Sequence, residues 1–274
     1  TNRLLTFNQR EYDLSVGFKN YVNFLESRIN LINTHTNDED GSSLAYRGAK
    51  SGAENYYKKI SGQIQGAKNF NVLQRERENW AQFQKYVNAN ASSADKAYLN
   101  ELLAIVDKDI ANTESNRYFG GSTLIDFAYY LMRNAEERMK EDDQRKSGFQ
   151  ERDQSNIKNR IKYLNNSFNI RVDKELFLAN LATYRTFSNE LRRPVYSELL
   201  SLDNSSEDTL EQVNTIYSTS YSTPESMLKL YDMSFEEISK LDDPLISFVV
   251  SIYDENRDNE ELREKSSARK QLLR

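Results

Sequence analysis

A chain of 274 residues with Gly 9 and Pro 3 carries about 4% of these two helix breakers where ordinary usage is about 12%, so its elements are long and seldom interrupted. Charged residues at 29%, hydrophobic ones at 38% and a mean hydropathy of -0.81 exclude membrane insertion by a helix, because no run approaches the ~18 apolar residues that a span needs. Lys+Arg 37 against Asp+Glu 42 gives a net charge of -5 with both signs mixed along the chain, so no basic stripe for nucleic acid exists. Cysteine is absent and His occurs once, which removes thiol catalysis, disulfides, thiolate zinc sites and any two-His metal site.

From 14 to 32, Leu14, Phe18, Tyr21, Val22, Leu25, Ile29 and Ile32 repeat at the three- and four-residue spacing of one helix face. The polar stretch NTHTNDEDGSS that follows ends this helix, with Gly41 supplying permissive backbone and Ser42 or Ser43 placed to cap the next one. Residues 44 to 88 read as two helices or one broken one, and Gly62 and Gly66, four apart on one face, suggest a close approach by another backbone. Tyr98, Leu102, Val106 and Ile110 continue the pattern after Ser92 and Ser93 and stop at Gly120 and Gly121. Thr123 and Asp126 form a capping-box pair for a helix through Met139 that runs into the charged stretch RMKEDDQRK, whose polar end is expected in water.

Ile157, Ile161, Leu164 and Phe168 give a helix after Gly148, and Phe177, Leu181 and Tyr184 give the next, with Asp173 placed to cap it. Thr223-Pro224, Ser234-x-x-Glu237 and Asp243-Pro244 are three further helix starts, predicting short helices at 224 to 231 and 234 to 240 and a longer one from Pro244. No alternating strand pattern survives. The fold class is all-α, with about nine or ten helices in one elongated domain covering residues 1–274. The ends, which begin without Met and finish in SSARKQLLR, suggest a piece cut from a longer chain.

Chemistry is scarce in this pattern. His35 stands among polar residues at a helix end and reads as a solvated side chain, since a catalytic base is held by packing and a third group. Asp38-Glu39-Asp40 and Glu141-Asp142-Asp143 lack the spaced ligands and central Gly of a calcium loop, and a di-metal bundle would need Glu-x-x-His motifs that do not occur. Neither phosphate-binding glycine motif is present. Tyr56-Tyr57 or Tyr129-Tyr130 could serve as aromatic platforms, although such residues at helical spacing are usually core. These features predict no catalytic residue, no metal and no cofactor in this chain.

Four segments in order are similar to the helical domain inserted in bacterial chymotrypsin-type dipeptidyl aminopeptidases, the family that includes dipeptidyl-peptidases seven and eleven. They are Thr1-Asn2-Arg3, the stretch GFQERDQSNIKNRIKYL with Gln150, Glu151, Arg152 and Asp153, Val172-Asp173-Lys174-Glu175-Leu176-Phe177, and Asp243-Pro244-Leu245-Ile246. The resemblance implies an insertion domain from a double β-barrel serine peptidase whose His, Asp and Ser lie in the barrels, outside this sequence. It further implies a cap over the active-site cleft, an oligopeptide substrate with a free N-terminus, the barrel domain of the same polypeptide as partner and a homodimeric parent. The implied location is the periplasm or cell surface of a Gram-negative bacterium, and the isolated chain should be inactive.

One residue carries over from the family. Its pattern Asn-x-x-Lys-x-x-x-Gly-x-x-x-Gly is met here by Asn55, Lys58, Gly62 and Gly66, which implies that Asn55 accepts a hydrogen bond from the substrate's α-amino group, with Tyr56 and Tyr57 shaping the cleft wall. Glu151, Arg152 and Asp153 read instead as ion-pairing residues that fix a helix entry. The competing reading is a free-standing helical scaffold or protein-interaction module with no catalytic role.

Overall fold

The computed structural model describes residues 6–273, and Thr1-Asn2-Arg3 lies outside them. Among the described residues every regular element is helical, as the missing alternation predicts. They are α1 (Phe7–Tyr12), α2 (Phe18–His35), α3 (Ser42–Asn69), α4 (Val72–Asn90), α5 (Ser93–Ala111), α6 (Thr113–Tyr118), α7 (Thr123–Arg138), α8 (Gln154–Tyr163), α9 (Ile170–Tyr184), α10 (Pro194–Leu199), α11 (Ser206–Tyr217), α12 (Pro224–Asp232), α13 (Phe235–Ser239), α14 (Pro244–Ser251) and α15 (Tyr253–Leu272). The helices exceed the nine or ten expected because several apolar runs are divided where no Gly or Pro marks the break. Examples are Asn112 between α5 and α6 and Ile252 between α14 and α15.

The first periodic run is continuous from Phe7 to His35 but passes through a π-helical turn at Asp13–Gly17. Gly17 makes that turn possible, because a Cβ there would stand 2.6 Å from Cε1 of Tyr12. Residues 44 to 88 form two helices, α3 and α4, joined at Asn71 with φ 50.

The residues group into two compact units. Among the described residues the first comprises 6–30, Ala49–Arg117 and 259–273, and the second comprises Leu31–Gly48 and Tyr118–Asp258. In the first, few side chains are fully enclosed, chiefly Leu25, Ala53, Ile60, Leu102 and Val106. Phe7, Trp80 and Phe83 stack in sequence, with centroids 5.2 and 5.3 Å apart. Surface ion pairs link its helices as well: Arg10 with Glu76, Arg77 with Glu11, and Arg269 with both oxygens of Glu101. Tyr12 donates to Glu114 at 2.6 Å.

The second unit contains the main hydrophobic core, with Leu131, Ile161, Phe177, Leu181, Val213, Leu230 and Leu245 all nearly inaccessible to solvent. A smaller cluster joins Ile32 and Tyr46 to Val172 and Leu176 of α9. The three late N-terminal signatures are all realised. Thr223 caps α12 ahead of Pro224, Ser234 and Glu237 form a capping box for α13, and Asp243 accepts from the N–H groups of Leu245 and Ile246 ahead of Pro244.

Three local expectations are corrected. Ser122, not Thr123, caps α7, accepting from the Ile125 N–H at 3.1 Å. Asn169, not Asp173, caps α9. Ser42 is the first residue of α3, and its hydroxyl accepts from the N–H of Asn37 to close the preceding loop.

Candidate functional site

Asn55 lies in the middle of α3, exposed to solvent. The buried residues Ala53 and Ile60 and the half-buried Tyr57 and Ile64 recur at three- and four-residue spacing on one side of this helix. Asn55, Lys59, Gly62 and Gly66 follow the same spacing on the opposite side. The side-chain amide of Asn55 makes no hydrogen bond to the described residues.

The glycines do not serve the close helix contact that their spacing suggested. A Cβ at Gly52, Gly62 or Gly66 would meet nothing within 4 Å. Their effect is to leave the helix surface around Asn55 without side-chain cover. Lys59 extends over Tyr56, its Nζ 5.6 Å from the ring centroid, and Tyr56 is exposed. Tyr57 sits with the packed side of the helix and not beside Asn55. The alternative platform, Tyr129-Tyr130, is spent on packing, with Tyr129 against Tyr253 and Tyr130 between Phe149 and Arg160.

The motif GFQERDQ is a hydrogen-bonded loop that seats α8 against α7. Asp142 accepts from the N–H of Glu151 at 2.7 Å, Asp153 from the N–H of Gly148 at 3.0 Å, and Arg145 reaches toward Glu151 at 3.6 Å. Gln154 donates to the Phe149 carbonyl at 2.7 Å and to Asn134 at 3.0 Å, while Tyr231 donates to its other end at 2.8 Å. Of the three residues read as ion-pairing, Glu151 makes an ion pair with Arg145, Asp153 instead holds a backbone N–H at the helix entry, and Arg152 has no ion pair among the described residues.

Beneath this loop, Glu137 is fully buried and paired with Arg133 and Lys140, each at 2.8 Å, and it also accepts from the Lys146 N–H. Burial alone would raise its pKa, but Lys140, the Lys146 N–H and Arg133 outweigh that and hold the carboxyl down at about 2. The end of α7 is therefore only partly in water, contrary to the expectation for this charged stretch, because its basic residues bend back onto Glu137 and onto backbone carbonyls. Arg138, for instance, donates to the carbonyls of Tyr231 and Met233.

Sequence reasoning also missed the task of Asp173. Buried within α9, it accepts from the Ser122 hydroxyl, the N–H groups of Thr123 and Leu124, and the Tyr217 phenol at 2.7 Å. One carboxylate thus satisfies two of the orphan donors at the start of α7 and ties three helices together. Gly121 keeps this crossing tight, since its φ is +90 and a Cβ there would collide with the Asn180 amide.

His35 is the last residue of α2 and half-buried, not the solvated loop residue expected. Asp40 is spent on Arg171 at 2.7 Å, and that bond, with the Ser42 contacts, holds its carboxyl down at about 2. Among the described residues, no group of three or more acidic, His or Cys side chains could hold a metal.

The family model for peptidase S46 matches residues 1–273. The chain belongs to the peptidase S46 family. It is 26% identical over 233 residues to the Asp/Glu-specific dipeptidyl-peptidase of Shewanella putrefaciens, an alignment that covers 84% of this chain and 31% of that protein. This S46 chain thus spans about a third of the curated relative that it matches. The resemblance read from the four sequence segments is borne out at the level of the family. No helix among the described residues is long and apolar enough to cross a membrane.

Proposed function

We propose that this chain is the helical cap domain of an S46 serine dipeptidyl peptidase and that it helps bind the free N-terminus of oligopeptides. The observation that carries this reading is Asn55, an unengaged amide standing on a helix side stripped of side chains at Gly62 and Gly66. An amide oxygen can accept from an α-ammonium without bringing a second full charge that must be desolvated. The missing side chains leave room for the main chain of an extended peptide alongside the helix.

Catalysis then belongs to the barrel domain of the same polypeptide, and cap and barrel together enclose the substrate. The parent is a homodimer of the periplasm or cell surface of a Gram-negative bacterium. The pocket that selects the substrate side chain then also belongs to the barrel domain, outside this chain.

Hydrolysis of dipeptidyl-coumarin substrates tests the reading, with the parent polypeptide and the isolated chain assayed side by side. The reading requires an active parent and a silent fragment. A parent without dipeptidyl release favours instead a helical scaffold with no catalytic role.

A further inference from the structure

A second site in the second unit has no part in the reading above. Around α10 and the turn that follows it lies a hollow of about 400 Å³, lined by Asn189, Arg192, Ser197, Glu198, Asp203 and Asn204 among others. Arg192 is 8% exposed and Ser197 7%. One amino nitrogen of Arg192, Nη2, is held by Asn189 and Asp203. Its Nε and Nη1 and the Ser197 hydroxyl are buried without a hydrogen-bond partner among the described residues. Buried donors, above all those of a guanidinium, are ordinarily satisfied, so three on two residues that line one hollow call for an acceptor.

The charges narrow what that acceptor is. Asp203 already offsets Arg192, and the exposed Glu198 adds a second acid, so a bare anion would enter a hollow of negative balance. A bare cation would meet the guanidinium. Pro194 is the one apolar side chain in the lining and no aromatic joins it, so an apolar ligand gains little there. A molecule that carries both charges fits, and a hollow at the small end of the ligand-pocket range limits it to one or two residues.

We propose that this hollow binds a small zwitterion of the amino-acid or dipeptide type, with its carboxylate on Arg192 and Ser197 and its ammonium on Glu198. The amides of Asn189 and Asn204 then serve the peptide group. The proposal stands on residues separate from Asn55 and concerns binding, not turnover.

The test is calorimetric titration of this chain with dialanine, N-acetyl-dialanine, dialanine amide and inorganic phosphate, repeated on Glu198→Gln and Arg192→Gln. Dialanine should bind saturably at one site, and blocking either terminus should weaken it by at least about tenfold. Glu198→Gln, at an exposed position where the fold is not at risk, should weaken dialanine to the same degree and leave the dialanine amide no better. Arg192→Gln is scored only if its thermal transition matches wild type, and it should then abolish binding. Absence of saturable dialanine binding to the wild type overturns the proposal, as does indifference to Glu198→Gln. Phosphate or the acetylated dipeptide binding as tightly as dialanine also overturns it and leaves an oxyanion site.

Discussion

The two units are built from the same residue types but solve the folding problem differently. The second encloses a continuous apolar core and uses its charges inside it, as at Arg133 and Glu137, whose side chains are 3% and 0% exposed. The first buries few side chains, leaves Tyr56, Phe70, Phe83, Tyr86 and Tyr98 exposed, and relies on ion pairs at the surface. Helix α4 has no buried residue at all. Surface pairs contribute at most about 1 kcal/mol each, whereas burial of a large apolar side chain contributes about 1.5–3. The lesson is that helical content and stability are distributed unequally here, and the candidate residue Asn55 belongs to the less enclosed unit.

The largest losses are expected in the core of the second unit. Phe177→Ala, at a position with no exposure, should cost about 3–5 kcal/mol, read as a lowered denaturant midpoint. Glu137→Gln should cost less, about 1–3 kcal/mol near neutrality, because it removes the buried carboxylate shared by Arg133 and Lys140 while Glu136 still holds Arg133 at 2.5 Å. Its pH dependence is a sharper check. Glu137 has a folded pKa of about 2, below its ordinary value, so its contribution is complete above the unfolded pKa and disappears as pH falls through the folded one. The gap between wild type and Glu137→Gln should therefore narrow below about pH 4.5.

Effects in the first unit should be smaller. Trp80→Ala removes the middle ring of the stack with Phe7 and Phe83, but that ring is only half-buried, so a loss of about 1–2 kcal/mol is expected. Arg269→Ala breaks the two-pronged bond to Glu101 and should cost under about 1 kcal/mol, shrinking further as salt is raised. Hydrogen exchange by mass spectrometry should show α4 and α5 exchanging ahead of α7 and α9. Equal protection across both units would contradict the contrast.

The sequence was most informative where a helix start depends on its neighbours alone. Thr223, Ser234 and Asp243 cap the helices they precede because their side-chain oxygens reach N–H groups two or three residues on. It misled where a distant residue competes. At the start of α7, Asp173 claims the N–H of Thr123, and the cap falls one residue earlier, on Ser122. Asp173 looked like a cap of its own helix because an acidic residue near a helix start fits that role, yet its partners lie some fifty residues away in sequence. Likewise the charges of RMKEDDQRK gave no sign that Glu137 just before them would be buried. The site was legible only as a spacing: Asn55 and the two glycines fall on one face by helix geometry, whereas the open space around Gly62 and Gly66 needed coordinates to be seen.

The role of Asn55 is tested most directly by kcat/KM of the parent peptidase for a dipeptidyl-coumarin substrate, wild type against Asn55→Ala. Loss of one hydrogen bond to a charged group removes about 1.5–3 kcal/mol, so kcat/KM should fall by about 10- to 150-fold. The thermal transition should stay unchanged, since the side chain is exposed and unengaged. An unaltered kcat/KM in a normally folded variant would contradict the assignment of Asn55 to the substrate's N-terminus.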